Sequence, residues 1–298
     1  MSDLTYPQAV VMGLLQGVTE LFPVSSLGHS LLVPAWIGGS WETLVTQSNS
    51  KGHTPFLAFV VALHVATAVA LVLYYWRDWV RIVTGFIGSI RRRRIDNDDA
   101  KLAWLVIAGT VIVGLVGLIA EKPLRVVFAT PLAAAIFLFL NGLVLLAAEL
   151  LRRKQIAGRT TGRHARDASE ERTVTSLSLR AGGLIGSAQI FALLPGISRS
   201  GVTISAGILA RLKHEDAARF AFLLATPVIL AAGVLKIPEL FGPEGQGIGG
   251  QVIVGSVCAF VAALAAVAFL ARWFHTRTLY PFVVYCLVAG AISIVHFA

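Results

Sequence analysis

The chain has 298 residues, of which 56% are hydrophobic and only 14% charged, and its mean hydropathy is +0.76. Soluble domains carry about 25% charged residues, so a water-soluble fold is excluded and a bilayer is the solvent that can cover this much apolar surface. The net charge of +9 does not point to nucleic acid, because most basic residues fall in two short polar stretches between apolar spans, where membrane proteins carry positive charge.

The N-terminus has no basic region, and its apolar run leads straight into polar residues, so no cleavable signal peptide is expected. The first apolar region, Gln8 to Ile37, is broken by Glu20, Pro23, Ser25, Ser26, Gly28, His29 and Pro34. It reads as two half-length helices around a polar elbow. A membrane-spanning helix needs about 20 mainly apolar residues, and Pro55 to Trp76, Leu102 to Ile119 and Val126 to Leu151 qualify. A second interrupted region, Leu177 to Leu212, is broken by Gln189, Pro195, Gly196, Ser198, Arg199, Ser200, Gly201 and Thr203. Ala217 to Ile237, Val252 to Trp273 and Leu279 to Phe297 complete six spans, with Tyr74, Tyr75, Trp76, Trp79, Trp273 and Tyr280 at their ends as interfacial anchors. Irregular backbone at membrane depth is tolerated only where protein or water satisfies it. The expected fold is therefore an all-α membrane protein of six transmembrane helices plus two re-entrant helical hairpins, 8–37 and 177–212.

The basic residues orient the chain. Arg77 to Lys101 holds seven and Arg152 to Arg180 holds eight, and Arg211, Lys213, Arg219, Arg272 and Arg277 fall on the same side. The other side carries Lys51, Lys122, Arg125 and Lys236. One assignment thus satisfies the positive-inside rule throughout. It makes the two hairpins enter from opposite faces, each followed by three spans. The halves, 1–151 and 177–298, form an inverted repeat joined by a charged cytoplasmic linker, 152–176, whose Arg, Thr and Gly content suits disorder. Inverted repeats with broken helices place a binding site near the midplane. Gln16 precedes Ser25 by nine residues, as Gln189 precedes Ser198, and Gly28 then aligns with Gly201.

Ionisable residues at membrane depth mark function by default; here they are Glu20, His29, His64 and Arg199. In the first elbow Gln16 and Glu20 share a helix face, and Ser26 and His29 lie one turn apart. A hydroxyl beside a base or acid is what attack on phosphorus needs. Glu20 is open to three roles: a further base, an orienter of the imidazole or a metal ligand. The plain alternative is that Ser25 and Ser26 cap a helix after Pro23 while His29 packs. In the second elbow Gly196 and Gly201 allow close approach, and the following helix directs free N–H groups at the elbow as an anion site. Arg199 adds a bidentate phosphate fork, and Ser198, Ser200 and Thr203 add neutral donors. The alternative for Arg199 is an internal ion pair with Glu20. His64, alone in an apolar span, reads as a hydrogen-bonded structural histidine. Glu149 reads as an interfacial ion-pair partner of Arg152 and Arg153, Cys258 and Cys286 as packing residues, and Arg91 to Arg94 as a topology signal.

These motifs resemble those of the undecaprenyl-diphosphatase family of the bacitracin-resistance type. Gln16, Glu20, Pro23 to Ser26, Gly28 and His29 match its first motif, Pro195 through Thr203 match its second, and Phe222 to Pro227 also looks familial. The resemblance implies a multi-pass enzyme of the bacterial inner membrane. It would hydrolyse undecaprenyl pyrophosphate to recycle the lipid carrier for peptidoglycan synthesis and confer bacitracin resistance, with its active site facing the extracytoplasmic side. Carried across by motif, Ser26 is the nucleophile, Glu20 and His29 assist it, and Arg199 holds the diphosphate. Gln16, Ser25, Gly196, Ser198, Ser200, Gly201 and Thr203 line the substrate site. The resemblance also implies a divalent cation, Mg2+ or Ca2+, with Glu20 as its ligand. Partners are the lipid diphosphate and bilayer lipid, with a homodimer left open. The chain departs from many members in having Gln16 for a glutamate and in its long linker. The rival from another class is a lipid flippase or secondary transporter with a midplane phosphate site. Another lipid-phosphatase class, defined by a basic motif and a distant histidine, ranks low because that basic motif is missing.

Overall fold

Helix α1 (Tyr6–Thr19) starts on a capping box, in which the Thr5 hydroxyl accepts from Gln8 N and the Gln8 amide oxygen accepts from Thr5 N at 2.8 Å. The computed structural model describes residues 4–42, 44, 55–128, 130–157, 172–236, 238, 241–242 and 247–298. After α1 come α2 (Ser26–Ile37), α3 (Pro55–Tyr74), α4 (Trp76–Arg92), α5 (Asp98–Phe128), α6 (Pro131–Ala157), α7 (Leu179–Ser187), α8 (Arg199–Leu209), α9 (His214–Lys236), α10 (Gly249–Thr276) and α11 (Tyr280–Phe297). Short 3-10 turns cover Val174–Ser176 and Ala188–Leu193. The described residues contain no named strand, only an isolated bridge between Arg172 and Leu212.

Among the described residues six helices are long and apolar enough to cross a membrane: α3, α5, α6, α9, α10 and α11. They are the six spans anticipated above, and one boundary needs correction. Residues 126–128 belong to the end of α5 rather than to the next span. The break falls at Thr130-Pro131, where Thr130 accepts from Ala133 N at 3.2 Å and Pro131, which has no N–H to lose, opens α6. Of the expected linker 152–176, residues 152–157 continue α6 and Val174–Ser176 form a 3-10 turn, so the structure corrects the linker's bounds and its disorder there, while Lys51 and residues 158–171 lie outside the described residues.

The first basic stretch is largely helical. In α4, Ile82, Gly85 and Ser89 are buried, and Trp104 on α5 donates to the Ser89 hydroxyl at 3.0 Å. Trp76, Val80, Val83, Ile87 and Ile90 form an exposed stripe at helical spacing. An apolar stripe beside a row of arginines suits a helix lying in the headgroup layer. Arg219 of α9 is ion-paired with Asp78 of α4.

Glu149 extends another expectation. It is 1% exposed, and its Oε1 lies 2.7 Å from His214 Nε2 and accepts from Leu279 N at 2.8 Å. A carboxylate this deeply buried needs close partners, so it joins α6, α9 and the start of α11 while Arg152 also acts on it electrostatically. Cys258 and Cys286 are both free thiols, as expected of packing residues.

Small residues let the first elbow's helix sink into the bundle. Alpha carbons of α1 at Gly13 and Gly17 face Gly255, Ala259 and Ala262 of α10, and a Cβ on Gly17 would lie 2.7 Å from the Ala262 methyl and against the Ala259 carbonyl. Backbone approach of this kind replaces the hydrophobic effect as glue between helices in lipid. Gly17→Leu is expected to destabilise the detergent-solubilised protein by at least the about 1–3 kcal/mol of an overpacked core. A lowered thermal midpoint followed by tryptophan fluorescence checks it.

Candidate active site

Both interrupted regions break where a serine caps the next helix. Ser25 caps α2 by accepting from Gly28 N at 3.2 Å, and Ser198 caps α8 by accepting from Gly201 N at 3.1 Å. The aligned Ser and Gly pairs thus do the same local job. Ser25 has φ of 71°, a region non-glycine residues seldom enter, at a cost of about 1–3 kcal/mol. Its surroundings hold it there: Oγ also accepts from Gly196 N at 3.2 Å, and its carbonyl accepts from His29 Nδ1 at 2.7 Å. Gly196 has φ of 109° and packs on α6, where a Cβ would sit 2.7 Å from Leu138 N. Only glycine fits both constraints.

The elbows satisfy one another's backbone. The Phe22 carbonyl, freed by the end of α1, accepts from the Ser200 hydroxyl at 3.2 Å and the Ser198 hydroxyl at 3.4 Å. Asn141 of α6 donates to the Pro23 carbonyl at 2.9 Å and accepts from Ser198 N at 3.0 Å. This residue is fully buried. Sequence reasoning passed over it because it is neutral, although a lone asparagine in an apolar span was a visible signal.

The charged groups converge on Glu20. Its side chain is 5% exposed and forms an ion pair with Arg199, which is 17% exposed. The Ser26 hydroxyl donates to Glu20 Oε2, and Gln16 Nε2 donates to the same oxygen at 3.0 Å. His64 Nε2 lies 3.3 Å from it. The structure therefore joins Ser26, Glu20 and Arg199 through direct bonds. His29 does not share them: its Nδ1 faces the Ser25 carbonyl, and its Nε2 lies 2.6 Å from the Tyr285 hydroxyl, with the two rings stacked at 5.7 Å. The imidazole braces the elbow against α11. Thr203 donates to the Arg199 carbonyl at 2.7 Å, and Ser198 and Ser200 lie 3.0 Å apart. The hydroxyls of the second elbow are thus bonded to protein. His64, expected to be a hydrogen-bonded helix residue, keeps that bond through Nδ1 to the Val60 carbonyl at 2.8 Å and also reaches the site.

The two charges of the site lie at helix ends. Glu20 ends α1 and Arg199 opens α8, so each charge opposes its own helix dipole. Their pairing offsets this. Of the first-turn amides of α2 and α8, those of Gly28 and Gly201 are taken by the serine caps, and the earlier ones of each turn lack intrahelical carbonyls. For a cation, the available oxygens are the Glu20 carboxylate and Gln16 Oε1, which is buried with no hydrogen-bond partner among the described residues. No group of three His, Cys, Asp or Glu side chains is present among the described residues. This small set fits an ion that draws most of its ligands from substrate phosphates.

Six helices long and apolar enough to cross a membrane, packed around a buried serine–carboxylate–guanidinium cluster, define a multi-pass membrane protein. The family model described as bacitracin resistance protein BacA matches residues 9–292, and the chain belongs to that family. It is 57% identical over its full length to the undecaprenyl-diphosphatase of Mycolicibacterium paratuberculosis, covering 99% of that protein. It is 51% identical to undecaprenyl-diphosphatase 2 of Frankia alni, again over 100% of this chain and 99% of the relative. Undecaprenyl-diphosphatase 2 of Chromobacterium violaceum is 42% identical over 96% of this chain and 97% of its own length.

Proposed function

We propose that the protein is an integral membrane phosphatase that hydrolyses undecaprenyl pyrophosphate to undecaprenyl phosphate and inorganic phosphate. This activity recycles the lipid carrier for cell-wall synthesis and confers bacitracin resistance. The observation that carries the reading is the Glu20 carboxylate bonded at once to the Ser26 hydroxyl and to Arg199. In a site that binds diphosphate, Arg199 turns from Glu20 to the phosphate oxygens, where charge spreads during transfer. Glu20, released from the guanidinium, takes the proton of Ser26. The Ser26 oxygen bonds to the terminal phosphorus as the bond from phosphorus to the bridging oxygen breaks, and undecaprenyl phosphate leaves. Glu20 passes its proton to the departing undecaprenyl phosphate and then takes one from the water that attacks the phosphoserine; inorganic phosphate departs, and that proton returns to the Ser26 oxygen. A magnesium or calcium ion held by Glu20 and Gln16 Oε1 would neutralise phosphate charge.

The short helix pairs α1–α2 and α7–α8 are re-entrant hairpins in an inverted repeat on this reading. Its support is the matched Ser25–Gly28 and Ser198–Gly201 caps and the buried Gln16 and Gln189, each with an Oε1 lacking a partner among the described residues. With the basic residues at the cytoplasmic face, the site opens to the extracytoplasmic side of the bacterial inner membrane.

Purified protein in detergent is expected to release phosphate from C55 pyrophosphate, and to lose that activity with chelator if the cation is required. A pure flippase would release none, because its work needs a membrane barrier.

A further inference from the structure

We infer that Asn141 is a positioning residue for the reaction, its one carboxamide setting the distance between the elbow that carries Ser26 and the elbow that carries Arg199. This rests on the phosphatase reading above. One face of α6 runs along the second elbow at helical spacing, through Ala134, Leu138, Asn141 and Leu145, all buried. A Cβ on Gly196 would lie 2.7 Å from Leu138 N, and one on Gly201 would lie 3.3 Å from both Asn141 Oδ1 and Leu145 Cδ2. These two glycines bring the elbow's backbone onto the face. Asn141 is the polar member of that face, and it meets a backbone group of each elbow. Its Nδ2 donates to the Pro23 carbonyl at 2.9 Å, and its Oδ1 accepts from Ser198 N at 3.0 Å. A carbonyl can only accept and an N–H can only donate, so the amide has one orientation. Nδ2 also faces Cys286 Sγ of α11 at 3.4 Å. An aliphatic side chain of the same size would fill the space and strand both backbone groups.

These bonds fall beside the reacting groups. Pro23 stands three residues before Ser26, and Ser198 immediately before Arg199. In the resting protein the Glu20–Arg199 ion pair also ties the elbows, but that tie is given up when Arg199 turns to phosphate. Other direct ties are the Ser198 and Ser200 hydroxyls on the Phe22 carbonyl and the Ser25 hydroxyl on Gly196 N. Each of them joins one elbow to the other and moves with them. Asn141 instead anchors both to a third element, and α6 is a long helix packed on α2, α8 and α11. A group on such an element holds geometry more accurately than one on a loop. In-line attack needs the Ser26 oxygen within about 3–3.5 Å of the phosphorus. A slack join between the elbows therefore costs rate even where Arg199 still binds diphosphate.

The test compares Asn141→Leu, which keeps the bulk and removes both bonds, with Asn141→Ser, whose hydroxyl serves one of them. Steady-state phosphate release from C55 pyrophosphate is measured in detergent, with thermal unfolding as the check on folding. Folded Asn141→Leu is expected to lower kcat about 100-fold, the order of cost when a reacting group is displaced by about 1 Å, with KM little changed. Asn141→Ser is expected to fall between it and wild type. Each variant is then combined with Arg199→Ala. Because Asn141 acts by aligning Arg199 with Ser26, the double variant is expected to be little slower than Arg199→Ala alone. A general loosening of the fold would multiply the two losses. Wild-type kcat in folded Asn141→Leu, a loss confined to KM, or losses that multiply with Arg199→Ala would overturn the assignment, as would wild-type turnover in Arg199→Ala itself. If Asn141→Leu does not fold, Asn141→Ser decides by the same readings. A wild-type protein that releases no phosphate overturns the phosphatase reading and this inference together, whereas failure of the Asn141 variants alone leaves the phosphatase reading standing.

Discussion

Purified Arg199→Ala is expected to release phosphate about 10³-fold more slowly than wild type, or worse, in line with the 10³–10⁵-fold effect of an arginine that stabilises phosphoryl transfer. The guanidinium is the one cation bonded to Glu20 from the second elbow, and the neutral hydroxyls beside it are engaged with protein. No neighbouring side chain of that elbow can replace its charge. Breaking a buried ion pair by removing one partner costs about 3–5 kcal/mol when the other charge is stranded. Here Gln16, Ser26 and His64 still face Glu20, so the loss of stability should fall below that range and leave a folded protein. Thermal unfolding in detergent beside the phosphate assay separates the two effects. Arg199→Lys should recover part of the rate, since it restores charge without the planar fork. Substantial turnover in folded Arg199→Ala would show that phosphate is held elsewhere.

The parts of this molecule that the sequence made legible are those in which one residue type has one physical outcome. An apolar run long enough to cross a bilayer has few alternatives to a spanning helix, and each of the six such runs contains one, with the third run's start corrected to Pro131. Serine followed three residues later by glycine recurs at both caps, although capping is weighed only at the first elbow, as the plain alternative to chemistry. The helix α4 was harder, because its arginines suggested a polar connection. Its Trp76, Val80, Val83, Ile87 and Ile90 stripe was nevertheless present at helical spacing. What the sequence hid were partners far apart along the chain. Glu149 pointed to the adjacent Arg152 and Arg153, whereas the fold brings it His214 from 65 residues away. His29 pointed to nearby Ser26, but 256 residues separate it from the tyrosine it bonds. His64 looked solitary because no charged residue lies near it in the chain, and only the packing of α3 on α1 reveals Glu20 beside it. Composition and periodicity report an element's own faces; the elements meeting across those faces are fixed by close approaches such as that of Gly17 on α10.

Ser26→Ala and Glu20→Gln are expected to abolish most phosphate release, each by about 10²–10⁴-fold if the carboxylate acts as the general base for the hydroxyl. The double variant should then be little worse than either single one, because two groups that act as a unit do not lose activity additively. The Ser26–Glu20 bond is the reason to expect a unit rather than two independent contributors. Glutamine retains the shape of Glu20 but cannot take a proton, and it gives Arg199 no charge to pair with, so substrate should still bind to Glu20→Gln. Acid quenching of a reaction on C55 pyrophosphate labelled at its terminal phosphorus distinguishes the chemical routes. Attack by Ser26 leaves label on the protein at that residue, and the label is absent from Ser26→Ala. Direct attack by water leaves none, and Ser26→Ala then keeps a measurable rate because Glu20 can serve a water in place of the hydroxyl. A labelled Ser26 with inactive Ser26→Ala would establish the covalent route, with the hydroxyl bonded to Glu20 as the group that attacks phosphorus.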